Sequence, residues 1–446
     1  MSGCLLVAAW RFSGYTRSAS GDKHTIPAIE SEAWLDVAES PSFFTRKRVR
    51  GHATLLAVVV WTLFAANLTH PGLRDWLGQV KGTDFVHEYV LGKIVLERNE
   101  PLLYDYQGQL QISRQAIPGL ESESYLPVYG PQVSLLYSPF AALPYLWAAA
   151  LWMLFSAAIY AACCYAVWRT TPNLQREGRT IAILALAFPA FFNLIAFGQN
   201  SAIALAAFVL AYLAFTRRKP FFAGMALGLL LYKPPFGIAA AVLFVLTFEW
   251  KLILGGIVTA AGQMGIAWAY YGKISLLDYA HALRKLGQNA GLLEPKLYQM
   301  YSLRSFWQML LPWPRVSFSL YLISALIVLV LLYRAWRSPA PLSLRYAAFL
   351  LATVLVDPHL TSYDLVVLAP AFLLIGDWIL GNSAADDLRK TTWLLYLSYA
   401  LPLFGPVIRD LHVQAAVPAF FLLLAALVAH SSPRTSVQSS AASAAR

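Results

Sequence analysis

The sequence predicts an all-α protein that crosses a lipid bilayer about a dozen times. Hydrophobic residues make up 58% of the 446 residues and charged ones only 13%, whereas a soluble domain carries about 25% charged residues. Half of the usual polar surface is therefore missing. Apolar runs approaching the ~20 residues needed to cross a hydrocarbon core of ~30 Å recur along most of the chain. No polar stretch reaches the ~100 to 150 residues of an ordinary globular domain.

The elements follow in order once orientation is fixed. Arg46, Lys47, Arg48 and Arg50 precede the first apolar run, 52–70, which puts the N-terminus in the cytoplasm, because basic residues collect on that side. Residues 1–45 then read as a cytoplasmic tail, and the polar segment 71–130 as an outer loop carrying short helices. Residues 131–144, with Pro131, Pro139 and Pro144, suit a surface or re-entrant helix. The run 145–168 is a full span ending at Arg169, Arg176 and Arg179; 180–197 returns outward, and 200–216 comes back to Arg217, Arg218 and Lys219. The stretch 220–248 is broken by Lys233-Pro234-Pro235. Proline lacks a helix donor and clashes with the preceding turn, so two short helices are expected there, with the break on the outer side. Residues 252–271 lead to a second outer loop, 272–315. The spans 316–333, 346–357, 363–380, 391–408 and 412–429 complete twelve crossings within one transmembrane domain, 46–429, followed by a cytoplasmic tail, 430–446.

The net charge of +11 is spread in short clusters between apolar runs, which is how loops are anchored at a membrane surface. It offers no basic patch for nucleic acid. Cys4, Cys163 and Cys164 have no metal-ligand spacing, and the adjacent pair sits in an apolar run, where thiols behave as small core residues. The opening MSGCLLVAAW has no basic region before its apolar stretch, so it does not read as a signal peptide. No Gly-rich phosphate loop, nucleophile elbow or zinc spacing of histidines occurs. No cofactor and no metal are expected.

The threading gathers five unusual segments on the outer face: 71–130, Gly198-Gln199-Asn200-Ser201, Lys233-Pro234-Pro235, 272–315 and Asp357-Pro358-His359. Such a gathering suggests one site. Asp84 follows Gly82-Thr83 at a helix start, where the helix dipole favours a carboxylate; an N-cap role is the alternative. Gln199 and Asn200 are amides suited to sugar hydroxyls, or to a tight turn. Lys233 is a cation at or just outside membrane depth, where an ionisable group is costly and points to function, unless it snorkels to the interface. Arg304, between Tyr301 and Trp307, is a second cation with donors suited to phosphate. His359, Tyr363 and Asp364 follow Asp357 closely, in what is otherwise a solvated hairpin. Aromatic faces to pack a sugar ring, cations to hold a leaving phosphate and a carboxylate to take a proton suit sugar transfer from a lipid phosphate.

These residues carry a resemblance. Gly82-Thr83-Asp84-Phe85, then Tyr104-Asp105, then Pro139-Phe140-Ala141-Ala142-Leu143-Pro144 with Trp152 beyond, come in order. Gly198-Gln199-Asn200-Ser201, Gly224 to Gly228 leading to Lys233-Pro234, and Tyr363-Asp364-Leu365 follow. Over about 80–430 the chain resembles the glycosyltransferase family 87 proteins of the GT-C superfamily. That family includes polyprenyl-phosphate-mannose-dependent mannosyltransferases and arabinofuranosyltransferases of bacterial envelopes. The resemblance implies a GT-C-like helical bundle and a polyprenyl-phosphate sugar donor, with a glycolipid or glycan acceptor. It also implies inversion at the sugar carbon, with Asp84 as catalytic base. Lys233, Arg304, Gln199, Asn200 and His359 would then face the donor phosphate or sugar, and Tyr104, Asp105 and Asp364 the acceptor. Many members carry a Trp and paired His in the late motif, where this chain has Asp357-Pro358-His359. The expected location is the inner or plasma membrane, with the site facing outward.

The competing reading is a transporter or flippase for a lipid-linked sugar, since interrupted helices also suit that class. Transporters usually repeat one half of the fold, and the halves here show no similarity. A long outer segment after the first span also favours the enzyme.

Overall fold

The computed structural model describes residues 45–120, 125–288, 296–382 and 388–431. The expected tails, 1–45 and 430–446, and part of the second outer loop lie almost wholly outside the described residues. The chain divides into Met1–Arg48 and Val49–Arg446, and the second unit holds nearly all of the described residues. These are helical throughout, apart from turns and two isolated bridges, Arg74 to Val80 and Met300 to Thr361.

Helix α1 (Arg46–Leu68) is followed by the short helices α2 (Phe85–Leu96) and α3 (Tyr106–Ala116), within 71–130, and by α4 (Pro131–Ala141), within the helix expected over 131–144. Helix α5 (Tyr145–Trp168) matches the expected span. The next span is not straight: α6 (Gly178–Ala187) and α7 (Pro189–Phe197) meet at a 48° bend, because Pro189 offers no N–H to continue the ladder. Then come α8 (Ser201–Thr216) and α9 (Pro220–Gly228). The chain breaks at Lys233 and resumes as α10 (Ile238–Leu246). Helix α11 (Trp250–Gln288) runs on where a loop was expected from 272. Gly272 takes φ 75° and ψ −179° there, so two helical stretches meet at a kink, in a conformation open to glycine at little cost. After α12 (Leu303–Leu310), α13 (Pro314–Arg337) and α14 (Leu342–Val356) come α15 (Ala369–Gly381), α16 (Leu388–Ala400), α17 (Gly405–Leu411) and α18 (Ala416–Ser431). The expected span 391–408 is thus split between α16 and α17, where Pro402 and Gly405 interrupt it.

Among the described residues, five helices are long and apolar enough to cross a bilayer, or six if the bent pair is one span, against the dozen expected. Five more apolar helical stretches are shorter, such as α8 with 16 residues, whose rise of ~24 Å falls below a ~30 Å core. The long helices bear exposed apolar side chains of the sort a bilayer covers, among them Leu63, Trp147, Leu154, Ile274 and Leu326. Helix α14 is the opposite case. From Tyr346 to Val356 every residue is buried, between α13, α15 and α18, as a helix apolar on all sides must be.

One contact places the Lys233 break. Helix α9 lies along α11 at backbone distance. A Cβ at Gly224 would sit 1.9 Å from the Leu252 carbonyl oxygen, and one at Gly255 would sit 2.0 Å from that of Phe221. Small residues spaced by four let membrane helices approach this closely.

Candidate functional site

The site is built on the start of α2 and the turn after α7. Gly198 ends α7 with φ 71°, and a Cβ there would lie 3.0 Å from that of Phe85 and 3.3 Å from the Gly82 Cα. Trp152 Nε1 donates to the Gly198 carbonyl at 2.9 Å, and Asp84 N donates to that of Phe197 at 3.0 Å. Phe85 stacks on Trp152 at 5.9 Å, 14° from parallel. The outer loop and the turn are thereby locked together.

Asp84 occupies the N-cap position of α2 at φ −77°, ψ −24°, yet its side chain makes no capping bond. Its Oδ2 accepts from Gln199 Nε2 at 2.6 Å. One turn along the same helix, Glu88 is buried and its Oε1 accepts from Asn200 Nδ2 at 3.0 Å. Two consecutive amides thus read two carboxylates spaced i, i+4, which lie on one helix face. Asn200 Nδ2 also donates to the Tyr129 hydroxyl at 3.0 Å, and the Asn200 carbonyl accepts from Tyr232 Oη at 3.2 Å.

The next residue continues the network. Ser201 Oγ donates to Asp364 Oδ1, which also takes Lys233 Nζ at 2.5 Å. Thr361 closes the other oxygen, donating from N at 3.0 Å and from Oγ1 at 2.9 Å. Lys233 stands at the break itself, over the rings of Phe236 and Tyr363, 5.3 Å from each. Its side chain is 17% exposed and that of Asp364 is fully buried, so Lys233 is paired and does not snorkel.

The late loop joins the second outer loop. Tyr301 N donates to the Leu360 carbonyl at 2.8 Å, Arg304 Nη1 lies 3.4 Å from His359 Nε2, and His359 N donates to Asp357 Oδ1 at 2.8 Å. Hydrogen bonds therefore connect Asp84 with Gln199, Asn200 with Glu88, and Lys233 with Asp364; Arg304 and His359 form a neighbouring pair. Among the described residues, Tyr104 reaches this network through Tyr129, whose carbonyl accepts from its hydroxyl at 3.1 Å. Asp105 stays outside: it is exposed and caps α3, accepting from Gln107 N at 3.0 Å.

Burial pushes the Asp84 carboxyl up to about 6, against the pull of the Gln199 hydrogen bond and the Lys233 ammonium. Burial pushes Glu88 well above the usual carboxylate range, with the charge of Asp84 adding to the effect. His87, between the rings of Tyr125 and Tyr129, is pulled down to about 4 by burial and is neutral. Among the described residues, no group of three metal-ligating side chains occurs.

An all-helical chain with lipid-length apolar helices and a buried acid–amide–cation network has the outline of a polytopic membrane enzyme. The chain belongs to glycosyltransferase family 87, whose model matches residues 128–358. It is a membrane glycosyltransferase. No curated protein and no solved structure matches it. The matched stretch takes in Tyr129, Gln199, Asn200, Lys233 and Arg304. Asp84, Glu88 and Asp364 lie outside that stretch and are tied into it through Gln199, Asn200 and Lys233 respectively.

Sequence reasoning missed Glu88, Ser201 and Tyr129. The signal for Glu88 was present: it is the one carboxylate in the run Phe85–Leu96, four residues after Asp84. Ser201 was read only as part of a turn, and its bond to Asp364, 163 residues away, has no local signature.

Proposed function

We propose that this glycosyltransferase moves a sugar, a hexose such as mannose or a pentose, from a polyprenyl-phosphate donor to an envelope glycolipid or glycan. The transfer takes place at the outer face of the cell membrane. The reaction is a single inverting displacement. The acceptor oxygen bonds to the anomeric carbon as the bond from that carbon to the phosphate oxygen breaks. The acceptor proton passes to Asp84, and the polyprenyl phosphate leaves with the electron pair.

The observation that carries this reading is the state of Asp84. Its carboxylate is not used to cap α2, one oxygen is held by Gln199, and among the described residues the other accepts no hydrogen bond. A carboxylate oriented by one oxygen and open at the other suits a general base, and a pKa near the working pH improves it. Lys233 spends one of three ammonium donors on Asp364, which leaves two for a phosphate. Arg304 on α12 and His359 on the late loop supply further donors.

The test is a transfer assay with purified protein, a glycolipid acceptor, and either a polyprenyl-phosphate sugar or a nucleotide sugar. Product from the lipid donor alone is expected, and product from the nucleotide sugar alone would overturn the donor assignment. Movement of lipid-linked sugar across vesicles without any new glycosidic bond would favour the flippase reading.

A further inference from the structure

A cavity of about 450 Å³ lies between the far ends of the helices, lined by Phe215, Thr216, Arg218, Glu249, Trp336 and Arg345, among others. It is separate from the cluster around Asp84. Helix α8 begins at Ser201, bonded to Asp364, and ends at Thr216 in this cavity; α14 begins in the cavity at Leu342 and ends beside Asp357. Helices of 16 and 15 residues put ~22 to 24 Å between the two places, close to the depth of a bilayer core.

The lining is amphipathic. Its floor is the edge of an aromatic cluster, with Trp336 packed on Phe215 at 5.5 Å and on Phe244 at 5.3 Å. Two arginines stand against one carboxylate. Arg345 lies over the Trp336 ring, 5.7 Å away, and donates from Nη1 to the Trp336 carbonyl at 3.2 Å. Its Nε is buried and has no partner among the described residues. An orphaned guanidinium N–H is costly to bury, and the rest of the guanidinium, which lines the cavity, has the fork geometry that phosphate oxygens match. Arg218 is exposed at the rim, flanked in sequence by Arg217 and Lys219.

We infer that this cavity binds the phosphate group of an anionic phospholipid, or a free phosphate, at the end of the bundle opposite the acidic cluster. Basic pockets between membrane helices recognise anionic head groups in this way. The aromatic floor would receive the glycerol end of a lipid, and the arginines its phosphate.

The experiment uses full-length purified protein in a neutral detergent. Its unfolding temperature is followed as phosphatidylglycerol, phosphatidylcholine or inorganic phosphate is added. Arg218 takes φ 56°, so Arg218→Gly removes the charge while relaxing the backbone, and misfolding does not confuse the result. Phosphatidylglycerol should raise the unfolding temperature at a lower concentration than phosphatidylcholine. Arg218→Gly and Arg345→Gln should each raise its half-saturating concentration about fivefold. Saturation by inorganic phosphate, weakened by the same variants, would support the site with a soluble source. Equal responses to the two lipids, unaltered binding in both variants, or no response to any phosphate would overturn it.

Discussion

At the scale of single residues, Asp84 and Glu88 separate two jobs that carboxylates can do. Asp84 is partly exposed and is pushed up to about 6. A base must be ionised to accept a proton, and its ionised fraction grows as pH rises through the pKa. Turnover should therefore fall below about pH 6 with a single-proton slope, read from kcat/KM against pH. Asp84→Asn keeps the shape and the cap position but cannot take the proton, so turnover should drop by ~10² to 10⁴-fold with donor binding intact. An active Asp84→Asn protein would remove this residue from the chemistry. Glu88 is fully enclosed, and burial raises its carboxyl well above the usual range, which favours the protonated form. A carboxyl raised in the folded state stabilises the protein below its unfolded pKa and loses that contribution as pH rises through the folded one. Glu88→Gln should thus retain activity and resist alkaline unfolding better than the native chain. Glu88→Ala should cost ~1 to 3 kcal/mol by leaving one N–H of the Asn200 amide without its acceptor; chemical denaturation across pH compares the three. Lys233 was legible as an unusual cation, but its partner was not, because Asp364 lies 131 residues away and no local pattern joins them. Removing one partner of a buried pair costs ~3 to 5 kcal/mol. Lys233→Met should therefore be both unstable and inactive, and adding Asp364→Asn should recover stability without activity.

At the scale of elements, prolines were read well where they stood beside a charge, as at Lys233-Pro234-Pro235. They were read poorly inside apolar runs. Pro189 and Pro402 sit in stretches whose hydropathy is continuous, and a composition window averages over them, while the backbone cannot. Gly272 was legible as the end of the run 252–271, and the backbone does leave the helical region there at φ 75°, ψ −179°, but the chain beyond it forms a second helical stretch where a loop was expected. The contact between α9 and α11 was invisible as a pairing, although its glycines were plain in the sequence. It yields a discriminating experiment. A methyl group at Gly224 would meet the Leu252 carbonyl at 1.9 Å, whereas one at Gly256 meets nothing closer than 3.6 Å. Gly224→Ala should cost ~1 to 3 kcal/mol through overpacking, and Gly256→Ala close to nothing. Thermal unfolding of the two variants in detergent reads the difference directly.

At the scale of the whole molecule, orientation decides which donor chemistry is available. Helices α8 and α14 each carry the acidic network at one end and basic residues at the other: Arg217, Arg218 and Lys219 after α8, Arg337 and Arg345 around the start of α14. Basic residues stay on the cytoplasmic side, which supports the proposed outward-facing network, where polyprenyl-phosphate sugars are the donors at hand. Gln111 lies exposed on α3, which packs against the Asp84-bearing α2, and Arg179 is exposed at the start of α6. The native Cys163 and Cys164 are buried and contribute little background once Cys4 is replaced. In intact cells an impermeant thiol reagent should label Gln111→Cys and spare Arg179→Cys, with both labelled after the membrane is opened. The reverse pattern would put Asp84 in the cytoplasm, beside nucleotide sugars, and the lipid-phosphate donor would lose its support.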